Sequence, residues 1–89
     1  MARFEIADAA SVANGGQAGS AEVFFQLGMK YATGRDVDAD LVTAHKWFNL
    51  AAMNGNKPAV GYRQELSLEM SSRDVAAAQR AAREWIRTH

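Results

Sequence analysis

Apolar residues recur along the chain at three- and four-residue spacing, the period of an α-helix that buries one face. The clearest stripe runs through Leu41, Ala44, Trp47, Phe48, Ala51 and Ala52. Val and Ile never alternate with polar residues as a half-buried strand requires, and a single proline interrupts 89 residues. The pattern predicts an all-α chain, and its punctuation divides it into four helices. The first is expected to start at Ser20 as its cap, carry Glu22 in its first turn and end near Thr33, with Gly34 as a left-handed stop. Asp36, Asp38 and Asp40 crowd the start of the second, which Asn54-Gly55 ends. Asn56 is the expected cap of the third, with Pro58 tolerated in its first turn. Ser71, with Asp74 three residues later, resembles a capping box for the fourth, which is expected to run to the neighbourhood of Arg87. Short loops join these helices into two helical hairpins.

The two hairpins are related. Shifted by 38 residues, Ala21 falls on Ala59, Gln26 on Gln64 and Arg35-Asp36-Val37 on Arg73-Asp74-Val75. Ala39 then falls on Ala77, Ala44 on Ala82 and Trp47 on Trp85, eight identities in the 31 positions from 21 to 51. Chance supplies about two or three in an alanine-rich chain, so a helix pair repeated at this period predicts a short α-solenoid. The domain organisation is then residues 20–56 as the first repeat and 57–89 as the second. Residues 1–19 read either as an N-terminal cap, with Phe4 to Ala13 as the remnant second helix of a preceding repeat and GGQAGS as a connector, or as a flexible segment.

The first repeat can be compared with a known family. Leu27-Gly28, Tyr31, Gly34, Val37, Asp40, Ala44, Trp47-Phe48, Ala51-Ala52 and Gly55-Asn56 follow the pattern LGxxYxxGxxVxxDxxxAxxWFxxAAxxGN. This closely resembles the Sel1-like repeat, a bacterial and eukaryotic relative of the tetratricopeptide repeat. The second copy departs from the pattern. Leu66, Glu69 and Ser72 stand where it has Gly, Tyr and Gly, so residues 57–89 look like a degenerate closing repeat. Physics gives the positions reasons. Gly28 lets the second helix pass close by, at about 1 kcal/mol of helix propensity, and Trp47 and Trp85 supply large areas to bury between hairpins.

Composition narrows the chemistry. Ten Lys and Arg balance ten Asp and Glu, so the chain lacks the basic footprint of a nucleic-acid binder. No apolar run approaches ~20 residues, and Glu5 and Asp8 stand where a signal peptide needs its apolar stretch. No membrane partner and a cytoplasmic location are the expectation. Without cysteine there is no disulfide, no Cys-ligated zinc and no thiol chemistry. Asp36-x-Asp38-x-Asp40 starts like a calcium loop, but Leu41 and Trp47 occupy the positions that need Gly and Glu. His45 and His89 form no ligand cluster, and His45 is expected at the surface or at a hairpin edge. No Ser-His-Asp arrangement and no glycine-rich phosphate loop is evident, so no cofactor, no metal and no enzymatic activity are expected. Arg73, Arg80, Arg83 and Arg87 read as a solvated face of the last helix, with Arg80–Glu84 and Glu84–Arg87 as ordinary helical pairs.

In tetratricopeptide-like stacks the first helix of each hairpin lines the concave face. The resemblance therefore implies partner-binding residues at positions the motif leaves free: Phe24, Gln26 and Lys30 in the first repeat, and Tyr62, Arg63, Glu65 and Glu69 in the second. Phe24 and Tyr62 coincide under the 38-residue shift and are expected to form an exposed aromatic pair, with Phe25 as the buried ring. The functional expectation is a non-catalytic protein-interaction module (a small adaptor, scaffold or regulator) that binds a peptide or helix of another protein. The alternative is a self-association module, because two repeats fall short of the three or so that solenoids need and a homo-oligomer could complete them. A hydrolytic enzyme is the remote third reading.

Overall fold

A computed structural model of the chain describes the backbone of residues 12–89 and the side chains of residues 20–89. Its four helices are α1 (Val12–Thr33), α2 (Leu41–Met53), α3 (Lys57–Glu69) and α4 (Ser72–Thr88), with no strand among the described residues. Local chemistry sets most of their ends. Gly34, at φ 74°, takes the left-handed conformation that a side chain resists, and its N–H and that of Arg35 both donate to the Lys30 carbonyl, at 2.9 and 3.1 Å. The Asp40 carboxylate caps α2 by accepting from the Thr43 N–H at 3.1 Å and the Thr43 hydroxyl at 2.8 Å. These bonds, the backbone one foremost, hold its carboxyl below the ordinary value of 3.8. Asn56 caps α3 through the Ala59 N–H and Ser71 caps α4 through the Asp74 N–H.

The start of α1 differs from expectation. Ser20 is not its cap: the helix begins at Val12 and runs through Asn14-Gly15 and the glycine-rich stretch without a break. GGQAGS is therefore part of a helix and not a connector. The residues of the proposed capping helix before Val12 lie outside the described residues.

Helix α2 is the hub, and α1, α3 and α4 each pack principally on it. One close contact of the α1–α2 pair lies at Gly28. Gly28 has no Cβ, and the Phe48 ring fills that space so closely that an added Cβ would lie 2.6 Å from two ring carbons. The second pair does not repeat this. Under the 38-residue shift Leu66 takes the place of Gly28 and is buried, while Ile86 takes the place of Phe48 and is 46% exposed. A leucine side chain occupies the seat a ring would need, which accounts for the slight packing of α3 on α4 and for the attachment of each to α2. Trp47 and Trp85 do correspond: both are half-buried, and their rings meet edge to face at 5.9 Å. No described helix is long and apolar enough to cross a membrane.

Two of the helical glycines, Gly28 and Gly61, should respond oppositely to alanine. Gly28→Ala forces a methyl into the Phe48 ring and is expected to cost about 1–3 kcal/mol despite the better helix propensity. Gly61 has open space where a Cβ would stand. Gly61→Ala should therefore stabilise by roughly 0.5–1 kcal/mol. Denaturant midpoints for the two variants check the pair; a gain at Gly28 would mean the ring can step aside.

Candidate interaction face

The rings of the core sort α1 into two flanks. Phe24, expected on the exposed face, is 8% exposed and belongs to the core. Its ring stacks on Trp47 at 5.5 Å and meets Trp85 edge-on at 5.1 Å, so it ties α1 to α2 and α4. Phe25, expected to be the buried one, is only half-buried and turns to the other flank. There it packs edge-on against Tyr62 of α3 at 5.5 Å and against Phe48 at 5.7 Å. Adjacent positions on a helix point about 100° apart, so either ring could have taken either side. The approach of Trp85 decides which.

Of the expected aromatic pair, Tyr62 is the ring that stays at the surface. It is 40% exposed, yet its ring lies nearly parallel to Phe48, 5.4 Å away and inclined by 17°. The aromatic pair at the surface is thus Phe25 and Tyr62, two positions that the repeat does not superpose. Glu65 and Glu69 are exposed, and their three- and seven-residue spacing from Tyr62 puts them on its flank of α3. On α1, Gln26 is exposed and donates to the Glu22 carboxylate at 2.9 Å, at the rim of the Phe25 flank. Besides Phe24, two expected residues leave the face. Lys30 is half-buried on a different side of α1 from Phe25, and Arg63 turns to α2, donating to the Asn49 side-chain oxygen at 2.7 Å.

Between α2 and α3 lies a polar chain that sequence reading missed. His45 is 1% exposed and so is not a surface residue. Its Nε2 is 3.0 Å from the Ser67 hydroxyl, which in turn donates to the Arg63 carbonyl at 3.0 Å. A carbonyl only accepts, so the one serine proton is committed to Arg63 and Nε2 must carry the proton that reaches Ser67. His45 Nδ1 is then an acceptor, buried and without a partner. Burial first, and the Arg63 guanidinium second, hold the imidazole below its ordinary value of 6.5. As a serine–histidine pair it runs the wrong way for nucleophile activation, because the histidine gives its proton to the hydroxyl and nothing orients Nδ1. The available signal was the two four-residue spacings, His45–Asn49 and Arg63–Ser67, which put two polar pairs on facing helices.

The remaining candidates stay apart. Among the described residues no three His, Cys, Asp or Glu side chains gather closely enough to hold a metal ion. His89 stacks on Trp85 at 4.3 Å, far from the His45 chain in its contacts. Of the two pairs expected on α4, Glu84–Arg87 forms, with contacts of 2.6 and 2.7 Å on an exposed face. Compared with protein-family models, with curated proteins and with solved structures, the chain matches none of them.

Proposed function

We propose that the chain is a non-catalytic protein-interaction module that binds a peptide or helix of a partner protein on the face centred on Tyr62. The observation that carries this reading is the state of that ring: exposed to solvent, yet held by Phe48 beneath it and Phe25 beside it. A large aromatic already fixed in place loses little conformational entropy on binding, which is why such residues anchor interfaces. Glu22, Glu65 and Glu69 give the surroundings a negative rim, so the fitting partner presents an apolar side chain flanked by Lys or Arg. We further propose that residues 27–56 are a Sel1-like repeat and that the chain is a short solenoid unit. Supporting this are the Gly28–Phe48 seat, the Gly34 stop and the Asp40 cap, each at a position the repeat pattern specifies.

A photo-reactive amino acid tests the face. Placed at Glu65 it should cross-link a partner in the native host, and at the exposed Arg80 of α4 it should not. Tyr62→Ala in the Glu65-labelled protein should abolish the product. Equal yields at both positions, or a product that survives Tyr62→Ala, would move the interaction elsewhere.

A further inference from the structure

We propose that His45 is a proton-operated latch between α2 and α3: a second proton on its ring unseats α3, and with it Tyr62, from α2. The geometry that carries this is the closed polar chain between the two helices. Asn49 accepts from Arg63, His45 donates to Ser67, and Ser67 donates back to the Arg63 carbonyl. All four residues already use the proton or lone pair that the chain requires. The other ring nitrogen, His45 Nδ1, lies off the chain, buried and without a hydrogen-bond partner.

Neutral imidazole tolerates that vacancy at the modest cost of an unmet acceptor. Imidazolium does not, because its charge is buried with only the His45 backbone to favour it. Among the charged side chains of the described residues, Arg63 of α3 is the one whose field acts on His45, and it adds to the repulsion. No described carboxylate of α1, α2, α3 or α4 offsets it. The cheapest escape is to open the α2–α3 seam and let water reach Nδ1. Helix α3 is the element that yields, since it carries Ser67 and Arg63, the far side of the seam, while Phe24, Trp47 and Trp85 tie α1 and α4 to α2 elsewhere.

The sign follows from the depressed folded-state value. Stability from this site is complete above 6.5, the ordinary histidine value. It declines as pH falls below that value and reaches its floor once the folded-state value is passed. The pull of α3 on Tyr62 rests on the functional reading above; the latch itself does not.

Hydrogen exchange on the intact chain, corrected for intrinsic rates, tests it between pH 7.5 and pH 5. Protection of the α3 amides should fall at least about tenfold relative to those of α4. In His45→Gln, which keeps an N–H for Ser67 but cannot titrate, the differential loss should disappear. The His45 ring resonances of the wild type give a second readout that needs no variant. Their titration should coincide with the loss of α3 protection, below the ordinary histidine value of 6.5. An unchanged differential in a folded His45→Gln, equal loss in α3 and α4, or a ring that titrates without α3 opening would each overturn the latch. Opening of α3 without any loss of partner binding would leave the latch standing and refute the Tyr62 face instead.

Discussion

Phe48→Ala is expected to destabilise the chain by about 3–5 kcal/mol, the full range seen when a buried aromatic is removed from a core. Phe48 has no exposed surface. Its ring fills the space above Gly28, carries Tyr62 on one side and touches Phe25 on the other. Truncating it therefore opens a cavity where α1, α2 and α3 meet, and backbone this closely packed can relax into it only in part. A domain of this size has roughly 5–15 kcal/mol of total stability at best, so the loss is most of a modest total. The thermal midpoint should drop by well over 10 °C, since each kcal/mol moves a small domain by about 4–8 °C. Ile86→Ala supplies the control. Ile86 is the residue the 38-residue shift pairs with Phe48, it is half-exposed, and its truncation should cost under about 1 kcal/mol. Similar midpoints for the two variants would show that the first hairpin is not closed by this ring.

Phe24→Ala should be nearly as severe, at about 3–5 kcal/mol, although the sequence pattern assigns it to a binding surface. Its ring meets both tryptophans, stacked on Trp47 and edge-on to Trp85. Aromatic pairs in these geometries contribute about 0.5–1.5 kcal/mol beyond the area they bury. Removing the ring should loosen α4 first, because Trp85 is how α4 reaches α1. Indole fluorescence reports this directly: the emission maximum should shift red in the folded variant as Trp85 gains water. A variant that melts within a few degrees of the wild type with unchanged emission would return Phe24 to the surface.

The contrast between these two rings shows what the residue pattern could and could not convey. Asn56 and Ser71 were legible because capping is local: the acceptor and the N–H it meets lie three residues apart. At α2 the same rule offered three carboxylates, and Asp40 is the one that caps. The close approach at Gly28 was legible through the repeat pattern; that the Phe48 ring is what fills the space was not. The choice between Phe24 and Phe25 was not. It depends on Trp85, about sixty positions further on, taking one flank of α1 and leaving the other to Tyr62. His45 was illegible for the same reason, since its burial follows from Ser67 and Arg63 on a different helix. Leu66 and Ile86 could be seen to break the repeat, but not that the break attaches α3 and α4 separately to α2. The start of α1 was misread because three glycines suggest a linker, while the helix runs through them to Val12.

The most direct test of the account is the affinity of Tyr62→Ala for the partner recovered by cross-linking at Glu65, measured below the melting temperature of wild type and variant alike. An anchoring aromatic contributes about 2 kcal/mol or more, so Kd should rise by at least about thirtyfold. Helicity should be unchanged and the thermal midpoint lowered by less than about 10 °C, because Tyr62 covers Phe48 without being enclosed by it. A Kd within about threefold of wild type in the folded variant, below 0.7 kcal/mol, would contradict the claim that this face binds.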